Sequence, residues 1–310
     1  MAASSKMSTP LSGAEKKQII DSFVNARESF GLEIGCNFRP LFRKSRGFAI
    51  QYLENTDTAG LAARCKKAGK DPALVETIDF VFEKEKSLSE LTGSKHAYKY
   101  VVSSHVIEHI PDLVRHFREI DEILVSGGVY AMVVPDKNYS FDALKPASTL
   151  GEFIEAHCRG DSKPPLSAYI DEIRYAVKSL DAAAGRRKNL GSRKNVERVH
   201  TDGDRLIARC LAKGRPPARW LGHRWVFSPF SFVSIFFDLV QYQLIQFDLL
   251  EIRPTCSLDF IAVICTAPHS RKVLSRQTAF ERLFELGYAD NMPHYSVPHE
   301  SLFDVGTCVA

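Results

Sequence analysis

Through the first half of the chain, short apolar runs alternate with longer amphipathic stretches. The runs 31–34, 49–53, 78–82, 100–103 and 129–134 are rich in β-branched, aromatic and aliphatic residues and read as strands. Ahead of them, "SGAEKKQIIDSFVNARESF" spaces Ile19, Ile20, Phe23 and Ala26 at helical intervals, with Ser12 placed to cap the helix. Between the fourth and fifth runs, "DLVRHFREIDEILVSGG" puts Leu113, Phe117, Ile120 and Leu124 on one face. It predicts a helix that stops at the glycine pair. Strands alternating with helices imply right-handed crossovers and a parallel sheet covered on both faces.

From about residue 145 the rhythm changes. Two helical pieces, "TLGEFIEAHCRG" and "PLSAYIDEIRYAVKSLDAAAG", flank "DSKPP", and a basic stretch follows. The α/β pattern resumes with a helix over 228–240, where Ser228 is the cap and Pro229 the first helical residue. Apolar segments follow at 244–252 and 258–265. Their spacer, "RPTCS", is of hairpin length, so the last strand is expected to run antiparallel. A last helix near 271–286 precedes a tail without periodicity.

Composition narrows the class. The 310 residues suffice for one large domain with an insertion, and 45% apolar with 25% charged is ordinary for a globular protein. No apolar run approaches the ~20 residues of a membrane span, and "MAASSKMSTPLSGAEKK" has no secretory pattern, so a cytoplasmic location is expected. Seven cysteines, at 36, 65, 158, 210, 256, 265 and 308, form no CxxC pair. That argues against a disulfide framework or a structural zinc site, and no metal ligands are assigned. The net charge is +4, but 185–219 alone carries eleven Lys and Arg against Glu197, Asp202 and Asp204. The rest of the chain is therefore slightly acidic.

The candidate chemistry begins at "FGLEIGCNFRPLF". A dinucleotide site needs GxGxxG after its first strand, so that bare backbone can approach a pyrophosphate. Here Gly35 remains, while Asn37 and Pro40 occupy the other two glycine positions and Arg39 lies between them. Glu33 would repel phosphate. A cofactor with a cationic head and no phosphate reverses both objections, which favours S-adenosylmethionine over NAD. Glu54 ends "AIQYLE", 19 residues after Gly35, where an acidic residue commonly holds ribose hydroxyls.

"LEIGCNFRPLF", "YKYVVSSHVIEHIPDLVRHFREIDEILVSGGVYAMVVPDKNYSFD" and "HRWVFSPFSF" together resemble a class I S-adenosylmethionine-dependent methyltransferase. The likeness is closest to the methyltransferase-11-like group associated with bacterial glycosyltransferases and polysaccharide loci, and it covers roughly 30–140 and 220–267. The resemblance implies an α/β, Rossmann-like sheet, mostly parallel with its last strand antiparallel, and a helical insertion after the fifth strand. The chain divides accordingly into a disordered N-terminus (1–13), a cofactor-binding core (14–144), a helical, basic, substrate-side insertion (145–222), a completion of the core (223–267), and a C-terminal helix and tail (268–310). It departs from the family in its glycine turn, and the 13 residues between Gly35 and Ala49 are too few for a full helix with its turns.

By that resemblance Glu33, Gly35, Cys36 and Asn37 surround the methionine moiety and Glu54 the ribose. Ser87 and Leu88 lie beside the adenine, and Ser104 near the sulfonium. The plain alternative for Ser87 and Leu88 is a helix cap and its first apolar residue. Methyl transfer to a hydroxyl needs an aligned acceptor and a base beyond the carboxyl ends of the strands. The candidates are His105 after the fourth strand, Asp136 with Lys137 and Tyr139 after the fifth, and His223 as the next choice. His109 reads as structural. Trp220 and Trp225 read either as a platform for sugar faces or as anchors of the insertion.

The leading expectation is an S-adenosylmethionine-dependent O-methyltransferase acting on a sugar, glycan or polyhydroxylated metabolite. A basic lid around Arg186, Arg187 and Lys188 would favour an anionic acceptor. The alternatives are a methyltransferase acting on nucleic acid or another small molecule, and a catalytically decayed binding subunit. Nucleic acid is disfavoured because the basic stretch lacks interleaved aromatics. Oligomeric state is not legible.

Overall fold

The computed structural model describes residues 10–179, 196–217, 220 and 222–288. Helix α1 (Gly13–Val24) opens the chain with a capping box: Ser12 accepts from the Glu15 amide and Glu15 accepts from the Ser12 amide. Strands β1 (Gly31–Ile34), β2 (Ile50–Glu54), β3 (Phe80–Val81), β4 (Tyr98–Ser104) and β5 (Leu124–Pro135) follow, with helices α2 (Thr58–Lys67), α3 (Leu88–Thr92) and α4 (Leu113–Ile123) between them. After the insertion come α8 (Pro229–Gln241), β8 (Asp248–Pro254), β9 (Asp259–Cys265) and α9 (Arg276–Glu285).

The seven long-range strands form one sheet in the order β3-β2-β1-β4-β5-β9-β8. The first five run parallel, and β9 runs antiparallel to both its neighbours. This is the Rossmann-like, mostly parallel sheet with one reversed strand that the sequence led us to expect. Its reversed strand is last in the chain but lies inside the sheet, with β8 at the edge. The crossover from β1 to β2 holds only a 3₁₀ turn, Lys44–Arg46, as its short length requires.

Both faces of the sheet are buried, which is why β5 reads as a continuous apolar run. Val129, Ala131 and Val133 pack with α1 residues Ile20 and Val24, and with Phe42 and Tyr52. The alternate residues Tyr130, Met132 and Val134 face Phe117 and Ile120 of α4 and Phe232 of α8.

The end of α4 differs from the sequence reading. The helix stops at Ile123, and β5 already starts at Leu124. Leu124 pairs with Tyr98 but Val129 pairs with Tyr100, so the residues between them bulge out of the ladder. The glycine pair serves this bulge. Gly127 has φ +69°, and a Cβ on Gly128 would lie 2.7 Å from the Val125 carbonyl oxygen.

The insertion contains α5 (Leu150–Arg159), α6 (Leu166–Tyr175) and α7 (Gly203–Lys213). It is not wholly helical. The second predicted helix ends at Tyr175, and β6 (Val177–Ser179) pairs antiparallel with β7 (Val196–Arg198). Val177 packs against Ala143 and Val196, so a β-branched residue finds its core contact in a strand. Arg186, Arg187 and Lys188, the expected basic lid, lie outside the described residues.

Candidate functional site

The carboxyl ends of β1, β2, β4 and β5 bring most of the predicted residues together. Beyond Ile34 the chain turns through Gly35 (φ +71°) and Asn37 (φ +49°). Asn37 adopts the left-handed conformation of the glycine it replaces, one of the few residues able to do so cheaply. A side chain at Gly35 would collide with Val106, its Cβ falling 2.5 Å from Val106 Cγ2. The turn is held from β2: Glu54 accepts hydrogen bonds from the Asn37 amide (2.9 Å) and the Asn55 amide (2.8 Å). Cys36 is buried, and that burial pushes its thiol well up.

Glu33, expected at the mouth of this turn, lies beneath it. Only 2% of the residue is exposed. Its carboxylate accepts from the Leu41 amide at 2.8 and 3.0 Å and from the Phe42 amide at 3.4 Å. A side chain in the middle of β1 points into the sheet's covered face, and the loop after the turn folds back over it. Burial raises its pKa to about 8, against the downward pull of those amides and of Lys17.

Ser87 and Leu88 take the plainer of their two readings as far as side chains go. Ser87 caps α3 in a reciprocal box with Glu90, and Leu88 is buried in the main core cluster. Ser104 ends β4 in register with Val133 of β5.

Immediately after β4, His105 has φ +56° and donates its amide to the Val133 carbonyl (2.9 Å). Its half-exposed ring stands between two carboxylates, with Nε2 3.4 Å from Asp259 Oδ2 and Nδ1 3.7 Å from Glu108 Oε1. Asp259 is fixed in turn by Lys16 (2.6 Å) and the Thr255 hydroxyl (2.8 Å). Its pKa is lowered: burial opposes the charge, but hydrogen bonding to His105 and the Lys16 ammonium outweigh it.

Asp136 follows β5 and has its carboxylate engaged within the fold. Its carboxylate accepts from the Asn138 amide (2.9 Å) and the Tyr288 hydroxyl (2.6 Å), and the residue is 2% exposed. This ties the turn after β5 to the segment after α9, the usual work of an aspartate at a turn. Lys137 and Tyr139 flank that turn; the Lys137 amide donates to Phe227 and the Tyr139 amide to Asp136.

His223 joins a group that sequence alone leaves scattered. The Arg224 and Trp225 amides both donate to the Glu108 carbonyl (2.8 and 3.1 Å), which fastens "GHRW" onto the 3₁₀ turn Ile107–His109. His223 Nδ1 lies 2.5 Å from Asp142 Oδ2, and His109 Nδ1 lies 3.1 Å from the Gly222 carbonyl. Glu108 Oε1 is 3.8 Å from Nε2 of each ring. Burial raises the pKa of Glu108 despite His223 and His105, and it lowers that of His109 to about 4. For His223 burial also opposes the charge, yet Asp142 beside it leaves the imidazole raised. Asp142 itself pairs with Lys145 at 2.7 Å.

Glu108, Asp142 and Asp259 were not singled out from sequence. The only signal was the Glu-His pair of "VIEH", whose partners lie more than a hundred residues away. The tryptophans act as anchors. Trp225 is buried, stacks on Phe153 with centroids 4.0 Å apart, and donates to the Ile110 carbonyl; Trp220 packs edge-on to Tyr169.

Residues 32–132 match the family model described as a methyltransferase domain. No curated protein matches the chain in sequence. Among solved structures, the chain is similar to a putative S-adenosylmethionine-dependent methyltransferase from Listeria monocytogenes, with 9% identity, 83% of this chain and 100% of that one covered, and a TM-score of 0.42. A SAM-dependent methyltransferase from Aquifex aeolicus gives 8% identity, 82% and 90% coverage, and a TM-score of 0.41. A glycopeptide N-methyltransferase complexed with S-adenosylhomocysteine gives 16% identity, 83% and 91% coverage, and a TM-score of 0.41. Among the described residues no helix is long and apolar enough to cross a membrane.

Proposed function

We propose that the chain is an S-adenosylmethionine-dependent methyltransferase that methylates a hydroxyl of a sugar, glycan or similar polyhydroxylated small molecule. The observation that carries the reading is the donor set at the β1 turn. Two left-handed residues, Gly35 and Asn37, make the turn, the Asn37 amide donates to Glu54 at the end of β2, and Glu33 lies buried directly below. The Glu54 carboxylate at the end of β2 suits ribose hydroxyls, and the missing phosphate-binding glycines disfavour a dinucleotide. The methyltransferase-domain match over 32–132 supports the same reading.

S-adenosylmethionine supplies an electrophilic methyl group when bound. Glu54 is the residue suited to the ribose, and the Gly35–Asn37 backbone to the methionine end. On the acceptor side His105 is the base best supported, because its ring is accessible, lies just past β4 and is oriented by Asp259. It would take the acceptor's proton at a ring nitrogen as the oxygen attacks. The Glu108–His223 group beside it would position the acceptor.

Calorimetry with S-adenosylmethionine, S-adenosylhomocysteine and NAD tests the core of this. One equivalent of either of the first two should bind, and NAD should not. Glu54→Ala should weaken binding at least about tenfold, as expected for losing hydrogen bonds to a charged group. Binding of NAD alone, or unchanged affinity in a folded Glu54→Ala variant, sinks the assignment.

A further inference from the structure

We propose that Glu108, His109 and His223 form a binding site for one first-row divalent transition-metal ion, such as Zn²⁺ or Co²⁺. One ligand atom from each of the three lies within 4.8 Å of the other two. The two imidazoles are already in the required tautomer. His223 Nδ1 faces Asp142 Oδ2 at 2.5 Å and His109 Nδ1 faces the Gly222 carbonyl at 3.1 Å, so each Nδ1 is the donor. Nε2 of each ring is thereby left for a ligand, a metal displacing any proton on that of His223, and both stand 3.8 Å from Glu108 Oε1. A carboxylate or a carbonyl behind each ring is the outer shell that metal-binding histidines need.

Glu108 supplies the second, independent observation. Its side chain is 1% exposed, and neither carboxylate oxygen has a hydrogen-bond partner among the described residues. A buried unsatisfied carboxylate is costly, and a native fold retains one only where something completes it. Side-chain rotations that draw each Nε2 a few tenths of an ångström nearer Glu108, and the two rings up to about 1.4 Å nearer each other, would bring the three atoms to the separation of about 3.4 Å set by tetrahedral bonds of about 2.1 Å. Two imidazoles and one carboxylate suit Zn²⁺, Co²⁺, Mn²⁺ or Fe²⁺ better than Mg²⁺ or Ca²⁺, which take oxygen. His109 is partly exposed, with 36% of its side chain accessible, so the ion could enter and keep an open position.

The site stands on its own geometry and deepens the function proposed above. Val106 of the same segment packs on the Gly35 turn, so a metal here would hold an acceptor oxygen beside the cofactor.

The test uses the full chain, stripped of metal by chelator and dialysis, then titrated with Zn²⁺ and Co²⁺. One equivalent should bind, and the Co²⁺ form should show visible bands of nitrogen and oxygen ligation without a thiolate charge-transfer band. His109→Ala and His223→Ala should each weaken binding at least 100-fold, and Asp142→Asn by 10- to 100-fold, the usual range for an outer-shell partner. Thermal melts establish that each variant is folded, with His223→Asn as the milder substitute. No binding of either ion, a thiolate band, or unchanged affinity in folded histidine variants overturns the site. S-adenosylmethionine titrated into the same metal-free sample reports on function separately. Cofactor bound without metal affinity removes this inference alone, and metal bound without cofactor affinity removes the methyltransferase reading alone.

Discussion

The carboxylates on the two sides of the site are treated differently. At the β1 turn, Glu33 and Glu54 have their oxygens occupied by backbone amides: Leu41 and Phe42 for one, Asn37 and Asn55 for the other. Just past β4, Glu108 is as deeply buried, and among the described residues its carboxylate has no hydrogen-bond partner, only imidazoles just outside hydrogen-bond range. The first arrangement is complete within the fold and sets the shape of a turn. The second is completed only by something cationic or proton-bearing brought from outside. In the function proposed above, the first is a preformed cradle for the cofactor and the second a set of groups that receives the acceptor.

The strongest way to break that contrast is at His105, which belongs to the acceptor side. Its left-handed φ suits Asn, so His105→Asn removes the imidazole without forcing the backbone. Turnover with an acceptor identified from sugar phosphates and nucleotide sugars should fall by ~10²–10⁴, while S-adenosylmethionine affinity stays within about threefold. Single-turnover kinetics and calorimetry on the same preparation measure both. Retained turnover removes His105 as the base; a collapse of cofactor affinity shows that the two sides are not separable.

The same contrast explains what could be read in advance. The sheet was legible because buried parallel strands are continuous apolar runs, and the hairpin length of "RPTCS" placed the reversed strand. Gly35 and Glu54 were legible because their spacing follows from one crossover. The glycine pair misled because Gly after a helix means a stop more often than a bulge. Val177 misled because a short amphipathic strand can continue a helical period. Glu33 was placed correctly in sequence but on the wrong side of the turn, since nothing local shows that residues 41 and 42 fold back over it. Glu108 escaped notice because its burial depends on "GHRW", and Gly222 is 113 residues from His109. Local patterns reveal elements; the contacts that bury a polar group are non-local.

A smaller effect tests the cradle through Glu33. Its pKa is raised from 4.5 to about 8, with burial the main cause and Glu54 adding to it; Lys17 and the amides oppose. Cys36, Tyr52 and Tyr100 are the other titratable groups it affects. The folded state therefore holds a proton that the unfolded chain releases above 4.5. The associated stability is fully present below about 4.5 and is lost as pH rises through about 8, at up to about 1.4 kcal/mol per pH unit between them. Urea melts of the wild type and Glu33→Gln from pH 5 to 8 should diverge accordingly, the wild type losing more. Parallel curves would show that Glu33 is ionised throughout, with the loop amides dominating burial.

The smallest effect separates the backbone of the turn from its side chains. Asn37 matters here for two reasons that glycine can partly reproduce: a φ of +49° and an amide donated to Glu54. Its own Oδ1 adds only a local bond to the Phe38 amide at 3.0 Å. Asn37→Gly keeps the conformation and the bond to Glu54, so it should change stability by no more than about 0.5 kcal/mol, set between the lost local bond and the greater entropy of the unfolded chain. Asn37→Ala must hold an ordinary L residue in the left-handed region and should cost about 1–2 kcal/mol. If the turn is the cradle, cofactor affinity follows the same order, with Gly near wild type and Ala weaker. Equal melting temperatures and equal affinities in the two variants would mean that the turn relaxes at no cost, and that Glu54 holds the cofactor without it.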